Sequence, residues 1–146
     1  MALTAITRGM QNAAPAIQAN FNEIEQRLNA RTNDALWQGN IFMSASHSIT
    51  PSKGIRSCQN GWVLKWNPYN STSGGHWSES SNYTLIPKQH VETDGSGSTV
   101  ICPVGKKDGT VVGAKVVIVS PAAIKGQDVN AVGTLYGYVL TGIFEF

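Results

Sequence analysis

Met10, Ala14, Ile17, Phe21, Ile24 and Leu28 follow one another at spacings of 4, 3, 4, 3 and 4, a heptad seam along residues 12–29. A seam this narrow fits a helix that packs on copies of itself. A helix lying on a broad globular core needs a wider stripe near a 3.6 period. Asn12 stands where it can cap the helix, and Pro15 falls in the first turn, where its missing N–H costs little. Gln11, Gln18, Asn22, Glu25 and Gln26 form the polar face. At 1.5 Å per residue the helix is roughly 27 Å long, too short to persist alone in water. The seam therefore predicts an oligomer.

After Asn33 the helical period stops, and short β-branched and aromatic runs alternate with Gly, Pro, Asn and Ser. This places a domain boundary there, with residues 1–33 as a helical stalk and 34–146 as an all-β head. The clearest strand is 61–67: Trp62, Leu64 and Trp66 point one way and Val63 and Lys65 the other, the period of two that buries one face. Pro68 is expected to stop it. Further strands are expected at 36–45, 83–86, 99–102, 111–120 and 135–146, with Asp94-Gly95-Ser96-Gly97 and Asp108-Gly109 as turns. Val116-Val117-Ile118-Val119 is apolar on both faces and reads as a central strand covered on two sides. The fold class is mainly β: an N-terminal helix, then a β-sandwich of the jelly-roll kind.

Composition narrows the function. Charged residues make up 14% of the chain against about 25% in ordinary soluble proteins, so its solvated faces rest on Ser, Thr, Asn and Gly and suit neutral polar partners. The net charge is +2 and the basic residues are scattered apart from Lys106-Lys107, which argues against nucleic acid and anionic membranes as partners. No run approaches a membrane span, and Met1-Ala2-Leu3-Thr4 lacks the features of a secretory signal, so synthesis in a cytoplasm is expected. On that basis Cys58 and Cys102 read as two buried, reduced thiols.

Chemistry-bearing constellations are thin. His47, His76 and His90 show no metal-ligand spacing, and pairing either cysteine with His90 as nucleophile and base is a chance combination. The residues point to no catalytic group, metal or cofactor. A glycan-degrading enzyme would need two carboxylates about 5 to 10 Å apart, for which the head offers Glu79, Glu92, Asp94 and Asp128. The polar loop 70–81 is different because it carries Trp77, which must either fold back on the head or meet a partner. In the second case Trp77 is a platform for the apolar face of a sugar, with His76, Glu79, Asn67 and nearby hydroxyls for its hydrogen bonds and Tyr69 as a second aromatic. Asp128, in the turn-rich 125–130 segment, is a further candidate at the rim of the head.

Two segments carry a family resemblance. Residues 6–28, with Arg8-Gly9-Met10-Gln11-Asn12-Ala13-Ala14 leading into Ile17, Ile24 and Leu28, resemble the N-terminal anchor of baseplate receptor-binding proteins from siphophages of Gram-positive hosts. Gly61-Trp62-Val63-Leu64, Tyr83-Thr84-Leu85-Ile86-Pro87-Lys88, Ile124-Lys125-Gly126-Gln127-Asp128 and Tyr138-Val139-Leu140 are similar to the C-terminal β-head of tail and baseplate proteins of such phages. Gln127, where that head often has His, and the aromatic end Ile143-Phe144-Glu145-Phe146 depart from it. The resemblance implies a homotrimer on the virion tail tip. Arg8, Met10, Ile17, Phe21, Ile24 and Leu28 would then serve trimerisation and anchoring to an upper baseplate protein, and the heads would bind host cell-wall saccharide. The alternative is a purely structural baseplate or tail part that binds no glycan.

Overall fold

The structure, a computed structural model, describes residues 13–29, 35–93 and 97–146. The chain divides into two units, Met1–Asn33 and Asp34–Phe146. In the first, helix α1 spans Ala13–Asn29, and Gln18 Nε2 donates to Asn22 Oδ1 one turn on at 2.9 Å, a bond across the polar face. The seam side chains Ile17, Phe21 and Ile24 are 42, 58 and 40% exposed, so the single chain leaves them uncovered. Arg8, Met10 and the expected cap Asn12 lie outside the described residues, as does the side chain of Leu28.

The second unit is built from β1 (Ala35–Ile41), β2 (Ser48–Ile49), β3 (Gly61–Asn70), β4 (Gly75–His76), β5 (Asn82–Pro87), α2 (Gln89–Thr93), β6 (Ser98–Gly105), β7 (Val111–Val119), β8 (Ile124–Gly126) and β9 (Tyr138–Glu145). They form two antiparallel sheets. One runs β1-β9-β3-β5, with β4 added at the far end of β3, and the other β2-β8-β7-β6. The first strand lies beside the last and the second beside the next to last, the winding of a jelly roll, while β3 with β5 and β6 with β7 pair as neighbours in sequence. Trp62, Leu64 and Trp66 of β3 are fully buried and share one core with Ile86, Cys102, Val104, Val117, Val119 and Ile143. Asn82 ties the sheets together at one edge, accepting from the Gly105 N–H at 2.9 Å and donating to the Gly105 carbonyl at 3.2 Å. No helix among the described residues is long and apolar enough to cross a membrane.

Three expectations are corrected. Pro68 does not end β3, which continues to Asn70. A proline lacks only its N–H, and the Pro68 carbonyl still accepts from the Trp77 N–H at 2.8 Å. Val116 and Ile118 are only half-buried, so the second face of β7 is partly open and the strand is not covered on both sides. The last strand begins at Tyr138, because Gly133–Gly137 turns as a 3₁₀ segment first. Cys58 and Cys102 are both free and buried.

The core also holds a cation. Lys115 is fully buried in β7, where its Nζ donates to the carbonyls of Asn130 at 2.8 Å and Phe42 at 3.1 Å and lies 6.0 Å from the ring centres of Phe42 and Trp66. Carbonyls and ring faces replace only part of the lost hydration, and burial lowers its pKa from 10.5 to about 8. Below that value both folded and unfolded chains carry the proton and the cost of the buried charge is present in full. Between about 8 and 10.5 the unfolded chain binds more protons, so this group adds stability as pH rises, by about 3 kcal/mol in all. Cys102 acts in the opposite sense, since burial pushes its thiol up to about 11. The contribution of Lys115 is therefore read as the difference between wild type and Lys115→Met in urea unfolding. That difference is expected to rise from pH 7.5 to 10, and a flat difference would contradict it.

Candidate functional site

The loop carrying Trp77 is shaped by its own polar residues. Asn70 Oδ1 accepts from the N–H groups of Thr72 at 3.0 Å and Ser73 at 3.3 Å, closing the β3–β4 turn in the manner of an Asx turn. Beyond β4, Asn67 fixes the returning chain. This fully buried side chain donates through Nδ2 to the Ser80 carbonyl at 2.8 Å, Ser81 Oγ at 2.9 Å and the Trp77 carbonyl at 3.1 Å, and Thr141 Oγ1 donates to its Oδ1 at 2.6 Å. Asn67 is thus consumed in holding the loop and does not face a ligand. The result is a pinned backbone under an indole that is 51% exposed.

Trp77 walls a cleft of about 330 Å³ with Pro68, Glu79, Ser80, Lys106, Lys107 and Tyr138. Tyr138 is buried, which raises its phenol pKa, and the charge of Asp108 adds to the shift. Lys106 and Lys107 come from the turn between β6 and β7. There the Lys106 N–H donates to the Thr110 carbonyl at 2.9 Å, and Asp108 Oδ1 accepts from the Thr110 N–H at 2.9 Å. The bonds that the Thr110 N–H and then its hydroxyl make to the Asp108 carboxylate hold that carboxyl below its usual pKa. Lys107 Nζ and Glu79 Oε2 meet at 3.1 Å across the cleft, with both side chains mostly in solvent, so the pair adds little stability. An aromatic face and a proline next to a few charged and hydroxyl groups can stack an apolar ring face and bond its substituents.

Of the five expected binding residues the structure brings two together, Trp77 and Glu79. His76 lines a different hollow of about 310 Å³ with Gln38, Gly39, Asn40, Lys65, Thr141 and Phe144. Tyr69, the cross-strand partner of His76, packs edge-on against Phe42 with ring centres 4.8 Å apart, and Tyr136 stacks on the same Phe42 ring at 4.3 Å. Asp128 starts a 3₁₀ turn and lines neither cleft. Sequence reasoning missed Pro68, Tyr138 and the two lysines of the cleft. The basic pair beside the Asp108-Gly109 turn was the available signal, but only the sheet arrangement places that hairpin next to loop 77–80.

For catalysis, Glu79 and Asp128 occupy separate places, and the side chains of Glu92 and Asp94 lie outside the description. Among the described residues no group of three or more His, Cys, Asp or Glu is placed to hold a metal ion. Compared with protein-family models, curated proteins and solved structures, the chain matches none of them.

Proposed function

We propose that this chain is a baseplate receptor-binding protein of a phage of Gram-positive bacteria, acting as a homotrimer whose heads attach the virion to host cell-wall saccharide. The observation that carries the binding role is Trp77, a half-exposed indole held on a pinned backbone at the wall of an apolar cleft, with Glu79 and Lys107 at its mouth. The exposed seam of α1 supports self-association, and the resemblance of residues 6–28 to a baseplate anchor supports docking of the N-terminus into an upper baseplate protein. On this reading the protein is a binding module with no catalytic step.

Stacking of a sugar on one aromatic face contributes about 1 kcal/mol, so each head binds weakly and the array of heads raises avidity by orders of magnitude. Trp77→Ala is expected to weaken binding of the purified full chain to immobilised Gram-positive cell walls at least tenfold. Its melting temperature should stay within about 2 °C of wild type, because an exposed side chain contributes little to the core. Retention on cell walls by the mutant equal to wild type would overturn the site. Absence of wild-type binding to any cell-wall preparation would favour the purely structural alternative.

A further inference from the structure

The hollow around His76 differs in chemistry from the Trp77 cleft. Gly142 of β9 stands between Lys65 of β3 and Gln38 of β1, its partners on either side. At strand spacings of about 4.8 Å this sets the two flanking side chains roughly 10 Å apart with no side chain between them. The Phe144 ring fills the floor of that gap. A Cβ on Gly142 would come within 2.7 Å of the ring, so only glycine lets the aromatic face lie there. Asn40, His76 and Thr141 complete the hollow, and among the described residues no Asp or Glu lines it.

Lys65, Asn40 and Gln38 supply its donors. Lys65 is half-buried, and no carboxylate among the described residues pairs with it. Asn40 Oδ1 can only accept, so the 2.6 Å contact with His76 Nδ1 puts the imidazole proton on Nδ1. The Asn40 amide N–H groups then have no partner among the described residues, nor does the amide of Gln38. An ammonium and two amides gathered over an aromatic floor, with no acid among the described lining residues, suit an oxyanion carried on a small polyol.

We infer that this hollow on the outer face of the first sheet is an anion-accepting subsite, in which Lys65, Asn40 and Gln38 bind a phosphate or carboxylate group of a saccharide and Phe144 meets the adjoining carbon skeleton. The inference rests on the head being a saccharide-binding module and adds a charge requirement at a second place. Phosphate and carboxylate share the recognising chemistry, and separate probes distinguish them.

The test is an amide NMR titration of the ¹⁵N-labelled full chain with glycerol 3-phosphate, with glucuronate and with neutral glycerol. Saturable shifts at Gln38, Asn40, Lys65 and Gly142 are expected with at least one of the two anions and not with glycerol, and the better anion names the source. Lys65→Gln should weaken that binding about tenfold or more, as expected for loss of a charge-assisted bond. Lys65→Arg should restore most of it, and a dispersed spectrum of each variant reports folding. Equal shifts with glycerol, no shifts with either anion, or affinity unchanged in folded Lys65→Gln would overturn the subsite. Trp77→Ala separates the two proposals: if it abolishes cell-wall binding while Lys65→Gln leaves both assays unchanged, the subsite fails and the receptor-binding reading stands.

Discussion

Asn130→Ala is expected to destabilise the head by about 4 kcal/mol, lowering its melting temperature by roughly 15 °C. The side chain is fully buried beyond the end of β8 and stands in for the missing strand. Its Oδ1 accepts from the Val116 N–H at 2.7 Å, and its Nδ2 donates to the Val116 carbonyl at 2.6 Å and the Met43 carbonyl at 2.7 Å. Met43 has a φ of 58°, in the left-handed region that a residue with a side chain seldom occupies, and is itself fully buried. The Asn130 amide and the Gln127 N–H, 2.9 Å away, both hold its carbonyl in place. Alanine would leave the N–H and carbonyl of Val116 unpaired in the interior and loosen Met43 together, and each orphaned group costs about 1 to 3 kcal/mol. Urea unfolding of the two proteins decides it, and a loss under 1 kcal/mol would show that the ladder mimicry is dispensable.

The second large effect is expected at the seam. Ile17, Phe21 and Ile24 are exposed along one side of α1, and burying each against a copy contributes about 1.5 to 3 kcal/mol. Ile24→Asp would replace one of these contributions with a carboxylate that must either lose water or hold the helices apart. The wild-type chain is expected to run as an oligomer in light scattering. The mutant should dissociate at concentrations at least a hundredfold higher, which for a trimer is about 5.5 kcal/mol per assembly, or about 2 kcal/mol per copy. A monomeric wild type, or a mutant as large as wild type at every concentration, would remove the seam as the basis of assembly.

The elements readable from sequence were those whose own residues carry the pattern. Trp62, Leu64 and Trp66 alternate with Val63 and Lys65, and that alternation alone fixes which face of β3 is buried. The turn at Asp108-Gly109 and the polar loop after Asn70 were legible for the same reason. What escaped depends on partners distant in sequence. Lys115 sits within an otherwise apolar strand, and its acceptance in the core depends on the Phe42 and Asn130 carbonyls, 73 and 15 residues away. The two- and three-residue strands β2, β4 and β8 exist because longer neighbours offer them edges, which no local periodicity records. The candidate site was half legible: an unprotected tryptophan in a polar loop marks itself, but Pro68, Tyr138 and the Lys106-Lys107 turn join it only through the pairing of β3 with β9 and of β6 with β7.

His76 and Trp77 are neighbours in the chain yet serve two different clefts. An extended backbone sends successive side chains to opposite sides, so the assignment of each residue to its cleft is a matter of parity. Deleting one residue from the 71–74 turn would shift this register by one place, moving Trp77 to the position of His76 opposite Tyr69 and Ser78 to the position of Trp77. Surface loops of this kind tolerate insertions and deletions. A single-codon deletion here would therefore alter both clefts at once, carrying the indole toward the lysine-bearing hollow and leaving the apolar cleft without its aromatic wall.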